Sequence, residues 1–275
     1  MKITDRNNER FFAVMTYVIF FVEIGICGLV MLLGLPEKSL NIIEMIVSTP
    51  MAWSSFFVLM IWAKKLYPDM TRKSFIKNAF SDKLSVKWII ISVCISFAVF
   101  IVSLGILIPV SGKNIGQLFN KEFAFNPLMF LLVLVSGPLG EELGWRGYYL
   151  TSKAKRYSIL KASLITGLVW SFWHLPLWFL RGGKGIDLII YIIAFIVQTT
   201  SSTVVYGCIY TKHRNLVYTI LIHTFDNFLI GTLVVDASSR MASIFYIIQA
   251  AVYVITAIVT ILIYKKSERT RTQPE

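Results

Sequence analysis

The chain has 275 residues, of which 56% are hydrophobic and only 15% charged, with mean hydropathy +0.69 and a formal net charge of +12. That balance excludes an ordinary soluble domain. No basic domain with interleaved aromatic residues accompanies the positive charge, which argues against a nucleic-acid partner.

Apolar runs of about 20 residues recur along the chain, the length needed for a helix to cross a bilayer. They predict an all-α, polytopic transmembrane bundle of about eight spans in one integral membrane domain, 1–275, with no internal repeat. The spans fall near 11–35, 40–63, 88–110, 127–150, 162–180, 187–210, 216–235 and 241–264. The first carries Glu23; it is too long for the core of a cleavable signal and lacks a small-residue cleavage site. The second carries Glu44 and Pro50, which predict a kink or an interfacial stretch. The loop at 64–87, with Tyr67-Pro68-Asp69 and several lysines, reads either as an amphipathic surface segment or as a solvated connection. The fourth span contains Gly137-Pro138, which predicts a break. Cys27, Cys94 and Cys208 all fall inside spans without a CxxC spacing, so they read as small packing residues and not as a disulfide framework. His213 lies in the basic loop Thr211-Lys212-His213-Arg214 and reads as solvated.

The positive residues orient this map. With the N-terminus in the cytoplasm, the inside segments hold 20 of the 27 Lys and Arg residues, in clusters around Lys2–Arg10, Lys64–Lys87, Lys153–Lys161, Lys212–Arg214 and Lys265–Arg271. The outside segments hold six: Lys38, Lys113, Lys121, Arg181, Lys184 and Arg240. The bias predicts both termini on the cytoplasmic side, with much of the net charge facing anionic lipid; the frequent Ile, Lys and Asn point to a bacterial cytoplasmic membrane.

Three polar clusters interrupt the spans. Ionisable groups at membrane depth are costly and mark functional sites. In Gly140-Glu141-Glu142-Leu143-Gly144-Trp145-Arg146, Glu142 and Arg146 stand four apart on one helical face, where desolvation favours their pairing. Glu141 points about 100° away and is left over, needing a wet cavity or a polar partner from another helix. Gly140, Gly144 and Gly147 predict close helix approach. The second cluster, Trp170 to Pro176, places His174 deep in the fifth span, with Pro176 breaking the turn that follows. The third, His223-Thr224-Phe225-Asp226-Asn227, places His223 and Asn227 four apart on one face, suited to stabilise a developing oxyanion, while Asp226 lies off that face as a structural partner. At 1.5 Å per residue, Glu141 and His223 lie roughly 12–15 Å and His174 roughly 20 Å from the cytoplasmic ends of their spans. All three therefore fit one site near the midplane, with access expected from the cytoplasmic side.

Glu141-Glu142-x-x-x-Arg146, aromatic-x-x-x-His at Trp170–His174 and His-x-x-x-Asn at His223–Asn227 together resemble the three motifs of the CAAX-protease and bacteriocin-processing (CPBP, or Abi) intramembrane endopeptidases, a family related to the Ras-converting CAAX prenyl endopeptidases. The resemblance covers about 127–235, the protease core. It implies peptide-bond hydrolysis in a membrane-associated peptide or protein, serving bacteriocin immunity, peptide maturation or CAAX-type processing. It also implies that Glu141 activates water with His174 as its partner, that His223 and Asn227 stabilise the tetrahedral oxyanion, and that Glu142 and Arg146 support the first motif. Trp170 stands where the family often has Phe, a swap expected not to touch the chemistry. A metal-free, glutamate-dependent reaction is favoured. The alternative is zinc held by Glu141, His174 and His223, for which no HExxH is present. The competing function is a catalytically silent immunity or interaction protein on the same scaffold; a transporter is disfavoured by the single break and the absence of repeats.

Overall fold

Apolar side chains on the outside and small hydroxyls within organise the bundle. The computed structural model describes residues 6–32, 51–180, 184–233 and 239–272. Glu44 and Pro50, expected to kink the second span, lie outside the described residues. Among those described, every long element is helical: α1 (Arg6–Met31), α2 (Ser54–Ile61), α3 (Arg72–Ala79), α4 (Val86–Ser111), α5 (Pro127–Val135), α6 (Pro138–Glu142), α7 (Ile159–Trp173), α8 (Leu175–Leu180), α9 (Gly185–Lys212), α10 (Val217–Gly231) and α11 (Arg240–Thr272). A wider π-helical segment, Leu143–Leu150, carries α6 on into Thr151–Ala154.

Among the described residues, helices fall within the expected spans, and five are long and apolar enough to cross a membrane: Arg6–Val30, Val86–Ser111, Pro127–Ala154, Gly185–Lys212 and Arg240–Thr270. α7 and α10 have 15 residues each, or about 22 Å, shorter than a hydrocarbon core of about 30 Å. Helices of that length end inside the bundle, which is where His174 and Asn227 are found.

Ile90, Ile101, Ile193, Ile255 and Leu262 project outward, as lipid contact requires. Ser55, Ser92, Ser96, Ser163, Thr166 and Thr203 are buried. The hydroxyl of Thr203 returns to the Thr199 carbonyl at 2.7 Å, and Ser96 crosses to the Ile222 carbonyl at 3.1 Å. Without water, helices in lipid associate through such small residues and hydrogen bonds. Gly167 and Gly140 are points of closest approach. A Cβ at Gly167 would lie 2.6 Å from the Thr200 Cα, and one at Gly140 would lie 2.6 Å from the Trp53 ring.

The two ends of the bundle are distinct. At the first, Asn8 donates to the Lys65 carbonyl at 2.9 Å, Lys153 pairs with Glu9 at 2.8 Å, and the Arg214 amide donates to Asp82 at 2.9 Å. This end gathers most of the basic clusters. At the other, the Asn120 amide donates to the Thr232 carbonyl at 2.6 Å and Ser243 to the Asp187 carbonyl at 2.9 Å.

The basic connection at 64–87 forms α3, capped by the Thr71 hydroxyl, which accepts from the Ser74 amide at 3.1 Å. Phe75 and Ala79 turn inward, and Phe75 stacks on Tyr67 with centroids 4.2 Å apart. α3 thus has one inward face and one exposed face within this connection. His213 departs from expectation. It is half-buried, its ring 4.0 Å from that of Trp88.

Candidate intramembrane active site

A helix restart sets the direction of the two acids. α5 ends at Val135 and Pro138 opens α6, so the break expected at Gly137-Pro138 is present. The Gly137 carbonyl accepts from the amides of Gly140 and Glu141, each at 3.0 Å. A proline at the first helical position lacks only an N–H that would have had no partner anyway. The acids therefore sit on the first turn of a fresh helix inside the bundle.

Glu142 and Arg146 are both 0% exposed and lie 2.9 Å apart, as their spacing predicts. The π-helical segment does not part them. The sequence did not disclose the third member: Glu142 Oε1 also lies 2.9 Å from His223 Nδ1. A carboxylate oxygen accepts, so Nδ1–H donates, and Nε2 is the nitrogen left to serve the cavity. The Arg146 guanidinium sits 3.9 Å from the Trp170 ring centroid and 4.6 Å from that of Tyr206. Desolvated cation–π contacts of this kind contribute about 2 kcal/mol. The Tyr206 hydroxyl in turn donates to Asp226 at 2.7 Å, and Tyr253 donates to the same carboxylate oxygen. Asp226 is thus the structural partner expected of it.

Glu141 is the acid outside this network, and its partner comes from another helix. The Trp170 indole N–H donates to Glu141 Oε2 at 2.6 Å. This corrects the expectation that Trp170 is a neutral replacement for Phe, since a phenyl ring has no such donor. Glu141 Oε1 faces Gly137, where an added Cβ would come within 3.1 Å of it and 3.9 Å of Asn227 Nδ2. Gly137 therefore leaves room between the acid and the amide.

His174 terminates α7, and its Nδ1 lies 2.8 Å from the Trp170 carbonyl. A carbonyl also only accepts, so Nδ1 carries the hydrogen and Nε2 is the basic nitrogen of the neutral ring. The helix stops here and resumes at Leu175, consistent with Pro176 beside it. Phe195, Trp170 and Trp173 surround the imidazole, with centroids 4.7–5.6 Å away.

Glu141, His174, His223 and Asn227 line one cavity of about 570 Å³, together with Trp170, Tyr206 and Asp226. Four residues chosen from three motifs thus meet in one space. Glu142 and Arg146 lie behind its wall, and Glu23 is not among the described lining residues. Glu141, His174 and His223, the ligand set of the zinc alternative, all line the cavity. Among the described residues, no three His, Cys, Asp or Glu side chains are grouped to hold a metal.

Comparison with known proteins agrees with this geometry. Residues 123–229 match the family described as type II CAAX prenyl endopeptidase Rce1-like. That stretch contains all four cavity residues. The CAAX prenyl protease 2 of Methanococcus maripaludis is 35% identical over 144 residues, 50% of this chain and 52% of the relative. The match therefore spans about half the length of that protein. With its three motifs converging on one cavity inside a helical membrane bundle, the chain is similar over its core to the Rce1-like type II CAAX prenyl endopeptidases.

Proposed function

We propose that the chain is an intramembrane endopeptidase that hydrolyses a peptide bond of a membrane-associated peptide or protein. The observation carrying this reading is the convergence of Glu141, His174, His223 and Asn227 on one cavity. Peptide hydrolysis needs a base for water, a proton for the leaving amine and donors for the oxyanion.

In the proposed reaction, water is held between Glu141 Oε1 and His174 Nε2. Its oxygen attacks the scissile carbonyl carbon while its proton passes to the Glu141 carboxylate. The carbonyl oxygen becomes an oxyanion that accepts from the Asn227 amide, and also from His223 when its Nε2 carries a proton in addition to the Nδ1–H anchored on Glu142. Collapse of the tetrahedral intermediate breaks the C–N bond, and Glu141 returns the proton to the departing amine. Trp170 fixes Glu141, and Arg146 fixes Glu142. The chemistry runs through side chains alone, without a metal.

The archaeal relative's name refers to prenylated CAAX tails. For this chain the proposed substrate class is the broader one, a peptide presented at the membrane, with bacteriocin immunity or peptide maturation as its setting. The test compares membrane and released peptides by mass spectrometry in cells carrying wild-type protein and Glu141→Ala, with His174→Ala and His223→Ala alongside. Loss of specific fragments while the protein remains in the membrane supports the proposal. Unchanged fragments in Glu141→Ala would leave the catalytically silent interaction protein as the reading.

A further inference from the structure

We infer that a recess at the basic end of the bundle, holding Lys155 and Arg214, binds a phosphate group carried by an anionic lipid headgroup or by a soluble phosphate compound. Among the described residues, none lines both this recess and the hydrolytic cavity, so the site owes nothing to the proposed proteolysis.

The recess has a volume of about 560 Å³ and is built from separate stretches of chain. α3 supplies Asn78, the turn after the π-helical segment supplies Thr151 and Lys155, and the end of α9 with the residues beyond it supplies Tyr210 and Arg214. Main-chain contacts hold α3 to the chain that follows α9. The Leu216 amide donates to the Ala79 carbonyl at 3.1 Å, and Phe80 and Asn215 form an isolated bridge. The Thr151 hydroxyl donates to the Arg146 carbonyl at 2.9 Å, which fixes the floor to the π-helical segment.

Its charges are unbalanced. Of the neighbouring basic residues, Lys153 pairs with Glu9 at 2.8 Å and Arg156 pairs with the same carboxylate oxygen. Lys155 is left over. Asp82 is spent on the Arg214 main-chain amide at 2.9 Å, while the guanidinium lies 5.7 Å from the Tyr210 ring. Among the described residues, neither Lys155 nor Arg214 has a carboxylate at ion-pair distance. Asp69, the acid among the described lining residues, is exposed and pairs with neither. Partial desolvation, and then the Arg214 charge, push the Lys155 ammonium below its usual range, as like charges meeting in a recess do. A phosphate between them removes that repulsion. The guanidinium fork matches phosphate oxygens, and the ammonium serves as a point charge. The Asn78 amide adds uncharged donors. The Tyr210 hydroxyl is buried without a hydrogen-bond partner among the described residues, because Thr151 beside it gives its own hydrogen to Arg146. Basic pockets at the ends of membrane helices recognise anionic headgroups by this chemistry.

The test uses the full-length protein in a neutral detergent and reads bound molecules by native mass spectrometry. The probes are phosphatidylglycerol, phosphatidylcholine as the net-neutral control lipid, and inorganic phosphate as the soluble source. K155Q/R214Q is compared with K73Q/K77Q, which removes two exposed charges from α3 without touching the recess. Half-saturation by the anionic probe is expected to weaken on the order of tenfold or more in K155Q/R214Q, the loss of at least one charge-assisted hydrogen bond, and to stay unchanged in K73Q/K77Q. Phosphatidylglycerol that inorganic phosphate does not displace supports the site with a lipid headgroup as its ligand. Displacement, or binding of inorganic phosphate alone, supports it with a soluble phosphate compound. Lys155→Met, which breaks no ion pair among the described residues, reads the same weakening if the double variant does not fold. Undiminished binding by K155Q/R214Q or Lys155→Met overturns the inference. So does an equal loss in K73Q/K77Q, or a wild-type protein that holds phosphatidylglycerol no better than phosphatidylcholine and binds no inorganic phosphate.

Discussion

Glu142→Gln preserves shape and removes one charge from a network buried within the bundle. Arg146, 0% exposed, would lose the carboxylate now 2.9 Å away. Removing one partner of a buried ion pair typically destabilises by about 3–5 kcal/mol, because the remaining charge stays buried. Arg146→Met reverses the arrangement. Glu142 then keeps His223, at 2.9 Å, and Thr219, and the contacts of the guanidinium with Trp170 and Tyr206 are lost. The double variant, E142Q/R146M, leaves neither charge, and replacing a whole buried pair with groups of similar size is often close to neutral. The double variant is therefore expected to be more stable than E142Q alone, with a coupling energy on the order of 2–3 kcal/mol. Unfolding free energies of the four proteins in mixed micelles measure this directly. Single-variant losses that add to within about 0.5 kcal/mol would refute the argument that Glu142 and Arg146 neutralise each other. Activity adds a second readout. Peptide release should stay low in the double variant even where stability returns, because His223 no longer donates to a carboxylate; full activity there would reduce the network to scaffolding.

Two further outcomes follow from the geometry. Gly167→Ala should destabilise the protein by roughly 1–3 kcal/mol, because the new methyl meets the Thr200 main chain and not a movable side chain. Gly105→Ala, which meets nothing within 4 Å, should be neutral or stabilising by up to about 1 kcal/mol from helix propensity; thermal unfolding of the two side by side checks the contrast. Chelation should leave peptide release by the purified protein unchanged, whereas complete loss with recovery on added zinc would favour the metal mechanism.

Local spacing made part of the site legible in the sequence. Four residues on a helix bring Glu142 to Arg146 whatever surrounds them, and Gly137-Pro138 stops a helix by its own chemistry. The contact of Glu142 with His223 spans 81 positions, and no local rule predicts it. Periodicity could show that Glu141 needed a partner, but the choice of Trp170 depended on the crossing of α6 and α7. The Trp170 signal was present nonetheless: an indole is an apolar ring with one donor, and a buried carboxylate nearby gives that donor a use. Closure of the cavity wall was not legible for a different reason. Rise per residue gives depth along each helix, while closure of one end depends on large side chains such as Trp145 and Tyr206 filling a shared interior. Span lengths were legible in the long apolar helices and less so in α7 and α10, whose ends lie within the bundle.

The π-helical segment has a consequence for variation. All eight residues from Leu143 to Leu150 are buried, whereas α4 and α11 show lipid one face each. A position such as Ile101 answers to only one demand, that its side chain be greasy, and many residues satisfy that. Each position of Leu143–Leu150 must instead match the volume and polarity of neighbours on every side. A deep mutational scan would therefore show a continuous intolerant block here, set apart from the three-to-four-residue rhythm of tolerance along the lipid-facing helices. A single-residue deletion within it would rotate Thr151–Ala154, and the loop beyond, by roughly a quarter turn. The block acts as an axle: the least exchangeable sequence in the chain is the stretch immediately following the two acids.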